Sequence, residues 1–475
     1  MIRLCVVLLV ILGGVAARAA PLSLRDARTF ADDLMHGRIV PDAVILPSEY
    51  AIAHRLGIRY DDVPGKFLVT DDFPADLRHQ VIDWKLRITV RVDTLTSDFT
   101  RVTIRVVEKG VEHRFYFKGK YLVSPAAYHA RAWATRDGIF FRFLVSDTSK
   151  FNRYAAAALD SFVVQSARIL GITADRMALL GREKILYLLC RDEDEVERVT
   201  GVRTLGMYDV ATDRVVSMYQ MHAHEVFHLL VNFRLKQLPL FTHPFFQEGA
   251  AVACGGRGGR SPAVMFQVGD FLQQSGFLTY DSLLAVRAFR SVDPSMSYPL
   301  AGLYNKFLLE QYGTDRYLTL YRKYSGDGES VGTMVIDRGD LPPDEAWREF
   351  LRCSEGRRTL FACPEGRGVS PVGTERFTVA DTTLYAAGTT YAGYLSPLFG
   401  QVFPGREYKG EKYLILANEA EIRVYNLYTD MLIAQLAASL SWPPAAITRE
   451  GGTIGFCVPS GVFDAGERRT LVSFR

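Results

Sequence analysis

The sequence predicts an α+β protein of several domains, with helical and strand-forming patterns in different parts of the chain. Two segments alternate apolar and polar residues as half-buried strands do, one within 85–117 and one from residue 374 onward. Between them, helices and strands are predicted to mix over 137–355. The 475 residues, 48% hydrophobic and 23% charged, suffice for two or three ordinary globular domains.

The first 19 residues have the pattern of a secretory signal peptide. Arg3 precedes an apolar stretch from Leu4 to Val15, and the small-residue site Ala17-Arg18-Ala19 follows. We therefore expect cleavage after Ala19 and export to the periplasm or the extracellular space. Loss of the two arginines lowers the formal net charge from +3 to +1, which gives no reason to expect nucleic acid or an anionic membrane as partner. No later segment is predicted to span a membrane.

The N-terminal domain, over 20–136, is predicted to combine helices with an antiparallel sheet. Its expected helices lie at 22–36 and 48–56, and its expected strands at 85–92, 100–108 and 113–117.

The remaining chain is predicted to form a mixed domain and then an all-β domain. Over 137–355 we expect strands at 139–145, 184–189 and 214–219, and helices at 151–170, 193–200, 262–290, 298–324 and 343–352. Over 365–475 we expect a β-sandwich or barrel with strands at 413–416, 421–425, 455–458 and 470–472.

The segment His224-Glu225-Val226-Phe227-His228 predicts a metal site. Residues i and i+4 lie about 40° apart around a helix, so both imidazoles can bind one ion from one face. Glu225 follows the first histidine directly, and its carboxylate can reach a water on that ion. A catalytic zinc needs three protein ligands and one open position, so a third ligand is expected downstream.

Glu248 is the predicted third ligand. The first helix can run to about Leu235, where Gln237-Leu238-Pro239 ends it, and a second can begin near Pro244. A second helix running back would return Glu248 to the level of the histidines. The small residues Gly249 and Ala250 are expected to let these two helices approach closely.

These motifs resemble those of the gluzincin metallopeptidases, the thermolysin and aminopeptidase-N group of the peptidase MA clan. The aminopeptidase-N-like branch is the most similar, with an Asn-Glu-Gly-Phe-Ala-type motif where this chain has 247–251. The metzincin pattern is not met, because Val231 and Arg234 stand where it requires glycine and histidine. The resemblance covers roughly 137–355. It implies a mixed-sheet lobe and a helical lobe, Zn²⁺ held by His224, His228 and Glu248, and Glu225 as general base.

A second element is similar to the same branch, and one is missing. The segment from Tyr298 to Gly313 resembles a helix whose tyrosine donates a hydrogen bond in the transition state, which implies that role for Tyr298, with Tyr304 as the lesser candidate. The branch's Gly-x-Met-Glu-Asn strand, whose glutamate binds a free amino terminus, has no equivalent in 206–209. This departure favours an endopeptidase over an aminopeptidase.

The expected function is therefore that of an exported zinc metallopeptidase acting on a peptide or protein substrate. One alternative is a non-catalytic zinc-containing binding or scaffold protein of the cell envelope. Another keeps the metal but hydrolyses an ester or epoxide.

Other chemically active side chains receive simpler interpretations. Cys353 and Cys363 are predicted to form a disulfide, the alternative being two unpaired thiols, and Cys190 and Cys254 are predicted to lie in the core. His222 is expected to point away from the metal face. We also expect structural or surface roles for His222 and His243, the alternative for either being a place in the lining of the cleft. For the basic cluster of Arg257 and Arg260 we expect a solvated loop rather than a binding patch.

Overall fold

The computed structural model describes residues 21–60, 81–82, 85–210, 212–238, 241–274, 276–326 and 328–355, and beyond them the backbone of strands between 360 and 473. The fold mixes helices and several sheets, as the sequence predicts. Among the described helices, none is long and apolar enough to cross a membrane. The predicted signal peptide and the side chains of Cys353 and Cys363 lie outside the described residues.

The chain divides into two compact units, residues 1–51 with 71–131 and residues 52–70 with 132–475. The first is a helix packed on a four-stranded antiparallel sheet, where Phe30 meets Phe115 and Phe117 at ring-centroid distances of 5.2 and 5.0 Å. Its elements are α1 (Leu24–Met35), α2 (Pro41–Val44), α3 (Pro47–His54, which spans the boundary), β1 (Ile88–Thr94), β2 (Phe99–Val106), β3 (Val111–Lys118), β4 (Tyr121–Val123) and α4 (Pro125–His129).

The second unit contains a five-stranded mixed sheet. Its strands are β5 (Ala134–Asp137), β6 (Phe141–Val145), β7 (Ile185–Leu189), β8 (Gly206–Asp209) and β9 (Arg214–Ser217), in the spatial order β5-β6-β7-β9-β8. The three central strands are parallel, and the outer two are antiparallel to their neighbours. Strand β8 is last in the spatial order and is therefore an edge strand. Helices α5 (Arg153–Leu170), α6 (Ala174–Glu183) and α7 (Glu193–Thr200) accompany the sheet. The sequence analysis did not predict α6, a ten-residue helix in which Leu180 is the one buried residue.

The rest of the described part of this unit up to residue 355 is mainly helical. It also has two short two-stranded sheets, one of Arg59–Tyr60 with Gln237–Leu238 and one of Phe241–Thr242 with Ser325–Gly326. The helices are α8 (Ala223–Leu235), α9 (Pro244–Gly255), α10 (Pro262–Gln274), α11 (Val286–Ser291), α12 (Pro294–Lys323), α13 (Gly328–Gly332) and α14 (Asp344–Glu355). The single helix expected over 262–290 is two helices, because the chain turns at Gly276 with φ of +71°. Helix α12 begins four residues before Tyr298 and is interrupted at Gly313, where φ is 68° and ψ is 172°.

The C-terminal strands form two main antiparallel sheets, consistent with the strand pattern of that segment. One sheet has six strands and the other four. The six-stranded sheet contains Arg376–Val379, Thr382–Ala387, Arg406–Lys409, Tyr413–Ala417, Glu421–Asn426 and Met431–Ala437, and the four-stranded sheet contains Leu360–Ala362, Glu467–Ser473, Thr453–Val458 and Ala446–Glu450. That 365–475 forms a separate domain stays a prediction.

Helices α9 and α12 pack closely around two glycines. A Cβ built on Gly249 would lie 2.1 Å from the side-chain amide nitrogen of Asn305, and one on Gly302 would lie 2.3 Å from a methyl of Val252. The amide of Asn305 donates to the carbonyl oxygens of Phe245 (2.7 Å) and Ala301 (2.8 Å), so it ties the two helices together. The close approach at Gly249 is thus with α12, not with α8 as the sequence suggested, because the glycine faces the buried asparagine.

We expect Gly249→Ala to destabilise the protein. The added methyl group must displace the Asn305 amide, and overpacking of this kind costs about 1–3 kcal/mol of the free energy of unfolding. Gly181→Ala in α6 is the matched control, because its Cβ would meet no atom closer than 4.0 Å. It should stabilise by about 0.5–1 kcal/mol through helix propensity. Urea unfolding of both variants measures the difference, and a Gly249→Ala protein as stable as wild type would contradict the packing.

Candidate metal centre

Helix α8 carries both motif histidines in the core of the second unit. Its apolar side chains are buried almost completely, among them Val226, Phe227 and Leu230. Those contacts hold the helix so that His224 and His228, also buried, face the same side. Their ring centroids lie 4.8 Å apart at an interplanar angle of 85°.

Glu248 on α9 completes a cluster of three donor atoms. His224 Nε2 lies 3.1 Å from Glu248 Oε2, His228 Nε2 lies 3.6 Å from the same oxygen, and the two Nε2 atoms are 3.2 Å apart. A tetrahedron with metal–ligand bonds of about 2.05 Å has edges of about 3.3 Å, so these separations match three corners of a zinc site. The structure thus brings together the three ligands predicted from sequence.

The chemistry of these atoms also fits a cation. His224 Nδ1 lies 2.9 Å from the carbonyl oxygen of Gly256, which can only accept, so Nδ1 carries the proton. In the neutral ring, Nε2 then presents a lone pair to the carboxylate of Glu248, and two acceptors face each other. A metal ion bound between these two acceptors would remove the repulsion between them. A carbonyl partner on the far ring nitrogen is the usual support for a histidine ligand.

Two glycines after Glu248 position that carbonyl partner. Gly255 lies against the start of α8, where a Cβ would come within 2.6 Å of the amide nitrogen of His224. Gly256 has φ of +72°, and its Cβ would meet the carbonyl oxygen of Arg260 at 2.0 Å. A side chain at Gly255 would separate α9 from α8, and one at Gly256 would collide with the turn that follows, so both contacts require glycine.

Protonated histidines would keep Glu248 ionised in the absence of a metal. Burial alone raises the pKa of this carboxyl, but the charge and hydrogen bonds of protonated His228 and His224 lower it below its usual range. The carboxylate form is the one that binds a metal.

Glu225 lies beside the cluster rather than in it. Its Oε2 accepts a hydrogen bond from the backbone amide of Tyr208 on the edge strand β8 (2.8 Å), and its Oε1 lies 3.7 Å from His222 Nε2. Burial is the main cause that raises the pKa of Glu225, to about 7. A carboxyl group with a pKa near neutral is suited to accept and release a proton.

Tyr298 also reaches the site, whereas Tyr304 does not. The Tyr298 ring stacks on that of His224 at a centroid distance of 6.4 Å, and burial together with the carboxylate of Glu248 raises its pKa well above the usual range. The phenol is therefore protonated and able to donate. Tyr304 lies in the aromatic core, stacked on Tyr280 at 4.2 Å, and does not line the cavity.

His222 was expected to point away from the metal face, and this is wrong. Its ring lines the same cavity, with Nδ1 2.8 Å from the hydroxyl of Ser217 and Nε2 near Glu225. Burial and the two ligand histidines lower its pKa to about 3, so it is neutral. The helix starts at Ala223, and His222 as its N-cap takes a non-helical conformation that helical periodicity does not describe.

The expectation for Arg257 is also wrong, because this side chain is not simply solvated. Its guanidinium carbon lies 4.1 Å from the ring centroid of Tyr298, and Arg257 and Arg260 both line the cavity beside the donor cluster. The cavity has a volume of about 570 Å³. A second cavity, of about 540 Å³, shares Thr242, Gln247, Glu248 and Tyr298 with it.

The remaining residues singled out from sequence have structural positions. His243 is fully buried, caps α9 through the amide of Phe245 (3.1 Å) and bonds the carbonyl of Leu284, as its expected structural role requires. Cys190 is a buried free thiol, whereas Cys254 is half-buried and free, packed against the core.

Comparison with protein-family models, with curated proteins and with solved structures finds no match for this chain.

We expect removal of any one donor to abolish tight metal binding. In His228→Ala or Glu248→Gln, two donors remain, and affinity for Zn²⁺ should fall by at least about 100-fold, since even second-shell changes cost 10–100-fold. Metal content after dialysis, and titration against a chromophoric chelator, measure the change. His36→Ala, an exposed histidine on the first unit, is the control and should bind like wild type. Wild-type affinity in Glu248→Gln would contradict the site.

Proposed function

We propose that this chain is an exported zinc metallopeptidase of the gluzincin type, with its catalytic domain over 137–355. The observation that carries the proposal is the convergence of the His224, His228 and Glu248 donor atoms at tetrahedral spacing, with Glu225 beside them. Two nitrogens and one carboxylate oxygen form a ligand set of catalytic zinc, and three ligands leave one position for water. The adjoining cavity lies within the volume range of ligand pockets.

Zinc bound here would acidify a water molecule and polarise the substrate carbonyl group. The residues around it would transfer the proton and stabilise the developing negative charge. Glu225 accepts the proton from the attacking water and passes it to the leaving amine, oriented by the amide of Tyr208. Tyr298 donates a hydrogen bond to the carbonyl oxygen as negative charge develops there.

The charges that line the cavity support an endopeptidase over an aminopeptidase. Among the described residues of its lining, the carboxylates are Glu225 and Glu248, and both are engaged in the roles above. A free substrate amino terminus needs a further carboxylate to bind its ammonium group. The edge strand β8, which lines the cavity, provides backbone groups for an extended peptide instead.

We predict that Glu225→Gln retains zinc and loses turnover. The amide keeps the shape of the side chain but cannot accept the proton, so kcat should fall by about 10²–10⁴-fold. A fluorogenic peptide library, read with zinc and with a chelator, provides the assay. Glu197→Gln on the exposed face of α7 is the control with the same chemical change. Cleavage by Glu225→Gln at the wild-type rate would remove Glu225 from this role.

Tyr298→Phe should lower kcat by about 10²-fold, the typical loss for one oxyanion donor, with a smaller effect on KM. The comparison is with Tyr304→Phe, which removes a hydroxyl from the same helix away from the cavity. If both variants lose activity equally, Tyr298 acts through helix packing rather than on the substrate. Zinc content, measured in parallel, separates either effect from metal loss.

A further inference from the structure

The turn that follows α9 has a defined geometry. Arg257 and Arg260 face each other as a backbone pair, with hydrogen bonds in both directions (3.0 and 2.9 Å). Between them Gly258 and Gly259 have φ of +56° and +72°. Positive φ at both central residues is the mark of a type I′ turn, which glycine favours. The turn therefore fixes the backbone from which both arginines project.

The same turn is attached to the candidate metal centre. It begins directly after Gly256, whose carbonyl oxygen bonds His224. Displacement of the turn would consequently move a support of the metal ligand. Arg257 is thus positioned by the same backbone that orients the centre.

The guanidinium of Arg257 is held without a close ion pair, although its charge is felt by Asp293 and Glu225. It lies on the ring of Tyr298 at 4.1 Å, and one of its nitrogens donates to the carbonyl oxygen of Pro294 (3.1 Å). Among the ion pairs of the described residues, none includes Arg257. Asp293, on the adjoining helix cap, instead accepts from the amide of Ser295 (2.7 Å). Since a guanidinium has five N–H donors, most of those on Arg257 remain for a ligand.

The charges of the cavity favour an anionic ligand. Apart from the histidines, its ionisable lining consists of Glu225 and Glu248 against Arg257 and Arg260, together with the tyrosines. Glu248 is engaged by the two ligand histidines. These two acids and two bases balance, so a divalent ion in the cluster would give the cavity a positive charge, which attracts anions.

We propose that Arg257 is a specificity-determining residue that binds a carboxylate of the substrate close to the scissile bond. This inference rests on the proposed function and names its substrate class. The carboxylate is either the free C-terminus of the peptide or the side chain of an aspartate or glutamate. An arginine can bind either with two parallel hydrogen bonds, and its stacking on Tyr298 reduces the ordering cost.

The distances limit where this carboxylate lies along the peptide. Arg257 rests on the ring of Tyr298, which itself stacks on the ligand His224. An extended peptide advances about 3.5 Å per residue, so a carboxylate bound here belongs to a residue within about two positions of the cleaved bond.

Matched peptides test the two sources of carboxylate separately. One pair differs only in a C-terminal acid or amide, and the other, amidated throughout, has glutamate or glutamine beside the cleavage site. We expect wild type to favour the acid in at least one pair by about tenfold or more in kcat/KM, the scale of a charged hydrogen bond. Arg257→Gln should bring that ratio close to one, and Arg257→Lys should retain part of it.

The ratio distinguishes recognition from a structural role. If Arg257 only holds Tyr298 in place, the Gln variant loses activity on acid and amide equally and the ratio persists, which overturns the inference. Equal wild-type rates in both pairs overturn it as well. Arg287→Gln is the charge control, because this exposed arginine on α11 lines neither cavity, and it should leave both ratios unchanged.

A binding measurement separates this inference from the proposed function. Zinc-loaded Glu225→Gln protein is titrated with each peptide by calorimetry, and the same is done with Glu225→Gln/Arg257→Gln. Tighter binding of the acid that depends on Arg257 supports the inference even if wild type cleaves none of the peptides, an outcome that removes only the peptidase proposal. Cleavage without any preference for the acid, in rate or affinity, removes the inference and leaves the peptidase.

Discussion

The candidate site depends on holding three hydrogen-bond acceptors against one another inside the protein. Two imidazole nitrogens and a carboxylate oxygen meet at 3.1 to 3.6 Å in a largely buried position. Such groups lose hydration on burial and gain nothing from one another unless a cation or proton lies between them. The surrounding structure must therefore prevent the cluster from spreading, and the contacts behind it do so. The Gly256 carbonyl fixes the ring of His224, and Asn305 links α9 to α12, so Glu248 cannot easily withdraw.

Close helix contacts at glycine connect the functional side chains to each other. Gly249 and Gly302 set the spacing of α9 and α12, and Gly255 sets that of α9 and the start of α8. Because α12 carries Tyr298, the packing that places Glu248 also places the phenol. The turn after Gly256 then brings Arg257 onto the same ring. Substitutions among these residues should be non-additive, since each changes the position of another.

The fold elements and the candidate metal ligands were predictable to different degrees for physical reasons. Helix α8 and the ligand pair follow from local spacing, and Glu248 follows from a helix break and a return, so the sequence predicts all three donors. The interruption of α12 at Gly313 was not expected, because one continuous helix was predicted over 298–324. The place of His222 depends on a non-helical N-cap conformation, and that of Arg257 on a turn between two helices. Both positions depend on backbone geometry outside the regular helix, which helical periodicity does not predict. The two glycines between the arginines could nevertheless have signalled a tight turn.

The edge strand and the arginine have complementary uses at one cavity. Pairing of a peptide with a strand uses backbone groups that are the same at every residue, so under the proposed function it would not by itself select which peptide bond lies at the metal. The amide of Tyr208 is already engaged by Glu225, which leaves fewer groups of β8 to define a register. A single charged side chain beside the metal centre can supply what the strand lacks, because a carboxylate occurs at few positions in a peptide. Under the proposed function, the motif would determine the chemistry and the loop that follows α9 would determine the choice of bond.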